Sequence, residues 1–246
     1  MGPGIIEIFK QYYPIFLKGA VGTLKYAAIA VGFGSILGTI IGFIHLSKNK
    51  ILSSIAQLYS TVIRGTPLLV QMYIGYYFLP MAIPALNSLS REHCVVLTMI
   101  LNSSAYVSEI IRGGVASVDI GQTEAARSLG MSSSHCMTRI VLPQALPHFM
   151  PSFRGEVAAL VKATAIVGYI AVQDVTKMGD IVRSRTYEAF FPLIAVAVIY
   201  FIMAGSLNFL IDRIQICLNP KRRKRGDILR GLNVSENDGK GAESHD

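Results

Sequence analysis

The chain has 246 residues, 52% of them hydrophobic and only 15% charged, with a mean hydropathy of +0.47 and a formal charge of +8. A water-soluble domain carries about a quarter charged residues, so this shortfall excludes an ordinary soluble enzyme and points to lipid as the solvent. Cys94, Cys136 and Cys217 are odd in number and far apart, with no CxxC pair or Cys/His cluster. They suggest neither a disulfide framework nor a metal site and read as small packing residues.

The first 20 residues mix polar and aromatic side chains, and Glu7, Lys10 and Lys18 break any apolar core, so no cleaved signal peptide is indicated. Residues 1–19 are expected as a segment outside the membrane. A bilayer crossing takes about 20 mostly apolar residues. Five stretches qualify: 20–46, 52–83 (interrupted by Arg64-Gly65-Thr66-Pro67), 92–111, 153–172 and 190–216. In the first, Ala30, Gly34, Gly38 and Gly42 recur every four residues, a stripe that lets two helix backbones approach closely in lipid. The expectation is an all-α integral membrane protein of about five transmembrane helices, with a membrane domain over 20–216.

Basic residues set the orientation. With the N-terminus outside, Lys48, Lys50, Arg112, Arg127, Arg139, Arg154 and the run Lys221-Arg222-Arg223-Lys224-Arg225 fall inside. Lys10, Lys18, Arg91, Lys177, Arg183 and Arg185 fall outside, and the excess favours N-out and C-in. The terminal run follows a span directly, so it reads as an inside anchor rather than a nucleic-acid patch. The rest of 217–246 is polar and is expected to be a disordered cytoplasmic tail.

Between the third and fourth stretches lies a polar interval, expected as a cytoplasmic loop over 115–147. Within it Glu124-Ala125-Ala126 is followed after three residues by Gly130, and after nine more by Ile140-Val141-Leu142-Pro143. Asp119 and Gln122 have capping-box spacing. Ala and Leu favour helix over 123–129, and Gly130 suits the left-handed corner that ends it. A second short helix is expected from Ser132–Ser134 to Leu142, with Pro143 ending it. The product is two short helices and a sharp turn, a slim knob at the membrane surface. A lipid-surface helix would want a wider apolar face.

This pattern resembles the EAA loop of ABC-type importer permeases, which docks into a partner ATPase. The segments Arg64-Gly65-Thr66-Pro67-Leu68-Leu69-Val70-Gln71 and Asn102 through Gly114 resemble the polar amino-acid subfamily, and the likeness covers about residues 17–214. It implies a type I importer permease in a bacterial inner membrane. Such a subunit pairs with an identical or sister permease, two ATPases and an extracytoplasmic amino-acid-binding protein, with no nucleic acid involved. Glu124, Ala125, Ala126, Gly130, Ile140, Leu142 and Pro143 would couple to the ATPase. The chain has no Walker motif, so it is expected to bind no cofactor, with ATP and magnesium held by the partner.

Polar groups at membrane depth face cavities or partners. Gln71, Asn102, Glu109, Glu156, Lys162 and Thr164 are therefore pathway candidates, Asn102 one turn from Tyr106. Arg64, Gly65, Thr66 and Pro67 are structural or gating candidates, Arg64 as a cap on freed carbonyls, a snorkelling cation or a gate. Glu156 and Lys162 are six apart and cannot share a face, so Lys162 needs a partner on another helix or a substrate carboxylate. Many relatives carry an acid directly after this lysine; here Ala163 stands there, which favours neutral or acidic amino acids over basic ones. Competing readings are an ABC permease for another small polar solute, an ion-coupled carrier, and a membrane enzyme. The last lacks any assembled set of carboxylates, histidines or nucleophile with base.

Overall fold

The computed structural model describes residues 5–83, 89–170 and 172–218. The basic run from Lys221 and the tail beyond it lie outside the described residues. Those described form nine α-helices and no strand: α1 (Ile5–His45), α2 (Lys50–Gly65), α3 (Leu68–Ala82), α4 (Arg91–Ala116), α5 (Ile120–Ser128), α6 (Ser133–Cys136), α7 (Leu142–Val167), α8 (Val175–Thr186) and α9 (Phe190–Leu218). Residues 1–208 make one compact unit, and the second, 209–246, begins within α9. In the second, the Arg213 guanidinium lies 4.7 Å from the Phe209 ring centre.

Among the described residues, three helices are long and apolar enough to cross a bilayer: Lys10–His45, Glu92–Ala116 and Phe190–Ile216. The stretch expected at 52–83 is instead two helices. Pro67 pushes Thr66 into an extended conformation (φ −111°, ψ 145°), as the residue before proline prefers, and α2 ends there. α3 then contains one π-helical turn at Ile74–Phe78. The stretch expected at 153–172 belongs to α7, which begins eleven residues earlier at Leu142 and gives way to a 3-10 turn at Gly168–Ile170.

α4 is the spine of the first unit, and α1 lies along it at close range. A Cβ on Gly34 would meet Ser103 Cβ at 2.8 Å, one on Gly38 would meet Val107 Cβ and Ser104 O at 2.7 Å, and one on Gly42 would meet Ile111 at 3.2 Å. Ala30, the first member of the stripe, is fully buried. The four-residue repeat of α1 therefore runs against the 103–107–111 repeat of α4, so backbones meet where lipid offers no hydrophobic drive. α2 joins the same spine through hydroxyls. Tyr59 donates to Leu101 O at 2.8 Å and lies 2.8 Å from Ser104 Oγ, while Ser60 Oγ and Ser108 Oγ are 2.9 Å apart.

α8 starts at Asp174, a fully buried carboxylate. One oxygen accepts from the Lys177 amide at 2.8 Å and the other from the Tyr200 hydroxyl at 2.9 Å, tying α8 to α9.

The stripe makes a sharp prediction. Gly38→Leu should destabilise the subunit by about 1–3 kcal/mol, the usual cost of overpacking. Gly32→Leu, on the same helix with nothing within 4 Å of its Cβ, should be tolerated. Thermal unfolding in detergent checks the pair; equal midpoints would contradict the close α1–α4 contact.

Candidate functional site

The knob is built as a closed local unit. Asp119 caps α5, its Oδ1 accepting from the Gly121 amide at 2.7 Å. Gln122 does not complete the expected box; its Oε1 accepts instead from Gln144 Nε2 at 3.3 Å, tying the knob to α7. Gly130 sits at φ +84°, the left-handed conformation that glycine adopts without a Cβ penalty. The amide of Met131 donates to Ala126 O at 3.2 Å and that of Gly130 to Arg127 O at 3.0 Å, the paired bonds of a Schellman ending.

Motif residues divide by burial. Ala126 packs against Cys136 and Val141, with Ile140 and Met131 alongside, in a small core inside the loop. Glu124, Ala125 and Gly130 are exposed. So are Ile120 and Leu129, at 69% and 85%, large apolar side chains on a knob otherwise polar. Sequence reasoning did not single these two out. Leu129 stands directly before the glycine corner, the signal that could have marked it.

Pro143 does not end the second helix. The chain stays helical from α6 through a π-helical turn at Met137–Val141 into α7, with Pro143 in its first turn and Pro147 and Pro151 inside. The wide turn bonds the Leu142 amide to Met137 O. A proline lacks the amide that would bond four residues back, and its ring crowds that carbonyl; a π turn gives the ring room. The return arm from the knob is therefore one continuous helical rod.

Above the knob, α2, α3 and α4 enclose a polar seam. The break at Gly65-Thr66-Pro67 frees carbonyls, which are met locally: Thr66 Oγ1 donates to Val62 O at 2.9 Å, and Gln71 Nε2 donates to Ile63 O at 2.6 Å and Thr66 O at 3.1 Å. Gln71 Oε1 then accepts from Asn102 Nδ2 at 3.0 Å. Gln71 and Asn102 are thus joined to each other and to the break.

Arg64 is not the cap. It lies 3.5 Å from Glu109 Oε2, its guanidinium 5.5 Å from the Tyr106 ring centre. Glu109 Oε2 also accepts from Arg112 Nη2 at 2.8 Å and Nε at 3.1 Å, and His45 Nε2 stands 3.8 Å from Oε1. Arg64 and Arg112 thus both face this carboxylate, and Arg64 also lies close enough to Glu156 of α7 to interact with its charge. Arg64, Tyr106, Glu109, His148 and Ser152 line an open cleft of about 430 Å³.

α7 presents the other candidates on different sides. Glu156 hydrogen-bonds Ser103 of the spine. Thr164 is buried, donating to Val161 O at 2.8 Å and lying 3.3 Å from the Tyr200 hydroxyl. Lys162 is exposed, and among the described residues no ion pair or hydrogen bond holds it. It ends an exposed row, His148, Ser152, Gly155, Ala159 and Lys162, at alternating four- and three-residue spacing. Exposed faces elsewhere carry Phe33, Ile36 and Ile40 on α1, or Phe201 and Ile202 on α9, which suit lipid. A small, polar and cationic row suits a pathway or a second subunit. Among the described residues no group of three His, Cys, Asp or Glu could hold a metal.

Comparison with known proteins places this geometry. Residues 31–224 match the family model described as the binding-protein-dependent transport system inner membrane component. A putative glutamine transport system permease protein of Rickettsia felis is 37% identical over 209 residues, covering 84% of this chain and 95% of the relative. The nopaline transport system permease protein of Agrobacterium fabrum is 35% identical, covering 89% and 94%. The arginine transport system permease protein of Bacillus subtilis is 36% identical, covering 80% and 89%. A crystal structure of an amino acid ABC transporter with histidines superposes with a TM-score of 0.77 at 38% identity, covering 87% of this chain and 99% of that one. The chain therefore belongs to the binding-protein-dependent transport system inner membrane components, as an amino-acid ABC importer permease: a multi-pass bacterial membrane subunit whose ATPase is a separate polypeptide.

Proposed function

We propose that this subunit and a second permease, identical or sister, line the pathway for a neutral or acidic amino acid, glutamine or glutamate before arginine. The exposed corner at Glu124–Gly130 docks into the ATPase. The observation that carries this reading is the knob itself: a Schellman-closed turn with its own core, exposed Leu129 at its tip, and a continuous helical rod leading back from it. Such a part transmits displacement instead of absorbing it. A loaded binding protein delivers from outside. ATP binding on the partner draws the two knobs together and opens the pathway outward; hydrolysis reverses the motion.

The substrate preference rests on charge. Lys162 stands exposed with Ala163, not an acid, beside it, and Arg64 opens onto the cleft while Glu109 is already held by Arg112. Both favour a carboxylate over a cationic side chain. The relatives' names are divided between glutamine, nopaline and arginine, and the glutamine name agrees with this charge balance. The nopaline name supports an opine as the alternative solute.

Two experiments test the reading. Gly130→Asp places a side chain on a left-handed backbone, costing about 1–2 kcal/mol locally, and adds charge to the docking corner. Insertion should stay intact while ATP-driven uptake falls at least about tenfold, a loss of about 1.4 kcal/mol or more in coupling. Normal uptake at normal membrane levels would count against the knob. In proteoliposomes holding the full transporter and its binding protein, glutamine or glutamate should be carried and arginine refused. Lys162→Ala should lower glutamate uptake more than glutamine uptake. Transport of arginine with both others refused would overturn the preference.

A further inference from the structure

One apolar groove takes no part in the function above. It measures about 430 Å³ and runs between Thr39 and Phe43 of α1, Ile110 of α4, and Leu146, Phe149 and Phe153 of α7. Thr39 Oγ1 is spent on Ser35 O at 2.7 Å, which leaves the buried Ser35 Oγ as the one wall hydroxyl without a hydrogen-bond partner among the described residues; the other walls are apolar.

Two observations say what fills it. The first is direction. At 3.6 residues per turn the Leu146–Phe149–Phe153 face of α7 lies roughly 130° around the helix from the His148–Ser152–Lys162 row. With that row turned to the pathway and the second permease, the groove opens on the far side of Ile110 and Phe149, which line both it and the Arg64 cleft. There it runs into the large apolar stripe of α1, Ile36, Ile40 and Phe43, all exposed. Its extent along α1, from Ser35 to Phe43, is about 12 Å at 1.5 Å per residue, close to the depth of one leaflet of hydrocarbon.

The second observation is charge at the end nearer the coupling loop. Phe43 is followed by Lys48 and Lys50, and α7 is preceded by Arg139, all three exposed. The chain has no Asp or Glu between Glu7 and Glu92 and none between Glu124 and Glu156, so the acids nearest this end are Asp119 and Glu124 of the knob, against which the turn carrying Arg139 packs. Glu109 of α4 is held by Arg112. An apolar slot about one leaflet deep, with three exposed cations following or preceding its walls in the chain, matches a lipid tail beneath a negatively charged headgroup.

We propose that this groove seats an acyl chain of an anionic glycerophospholipid, from the leaflet on the coupling-loop side, with its phosphate paired to Lys48, Lys50 and Arg139. The site is independent of which solute is carried; it relies on the Lys162 row of α7 facing the pathway. Because α1 and α7 both border it, a bound lipid braces the rod that returns from the knob.

The test uses the complete transporter, with its second permease and ATPases, in phosphatidylcholine nanodiscs. Each carries a small fraction of a probe bearing a diazirine in its acyl chain, either phosphatidylglycerol or phosphatidylcholine. Mass spectrometry should place the phosphatidylglycerol label on α1 and α7 peptides lining the groove, at several-fold the yield of the phosphatidylcholine probe. Lys48→Gln, Lys50→Gln and Arg139→Gln together should abolish that preference, and Leu146→Trp should reduce labelling by filling the slot. Equal labelling by both probes would reduce the groove to ordinary lipid contact and overturn the proposal. So would absence of lipid label with crosslinks from the groove, through a photo-reactive residue at 146, to the second permease.

Discussion

The close approach of α1 to α4 is the contact on which the rest of the unit depends. In lipid there is no water to drive apolar surfaces together, so helices associate through short-range packing and hydrogen bonds. Gly34, Gly38 and Gly42 let α1 lie against the Ser103–Val107–Ile111 side of α4. With that side occupied, α4 offers its hydroxyls and amide to α2 and α3, through Ser104, Ser108 and Asn102, and Ser103 also meets Glu156 of α7. One helix thereby organises four others, each by a polar or small-residue contact. α4 also continues, after three residues, into the knob at Asp119. The spine that holds the bundle is thus the arm that leads into the knob.

That arrangement separates two tasks. Large apolar side chains on α1, α2 and α9 face outward, while α7 exposes small residues bounded by His148 and Lys162. The polar seam lies between them, and its Arg64–Glu109–Arg112 cluster sits at the junction of the broken helix and the spine. α4 and the α7 rod both join the knob, and they supply Tyr106, Glu109 and Ser152 to the cleft that Arg64 of α2 also lines.

Much of this was legible in the sequence because it is written in short-range spacing. The four-residue glycine stripe, the helix break at Gly65-Thr66-Pro67 and the left-handed corner at Gly130 each depend on residues within a turn or two of one another. What was not legible depends on distant partners. Arg64 finds Glu109 45 positions away, Gln122 turns to Gln144 instead of its own cap, and Gln71 is tied to Asn102. Pro143 read as a stop because proline usually is one; a single π turn before it changed the outcome. Of the two exposed apolar residues of the knob, Leu129 had a local marker in the glycine corner that follows it, whereas Ile120, in the first turn of a helix-forming run, had none.

The central claim is that the Gly130 corner meets a separate ATPase. The most direct measurement is to place a photo-crosslinking residue at Leu129, irradiate native membranes, and identify the product by mass spectrometry. The account predicts an adduct to a polypeptide carrying Walker motifs, with a yield that changes when ATP is added. An intact, transporting subunit whose position 129 crosslinks only to lipid, or to no ATPase at all, would contradict it.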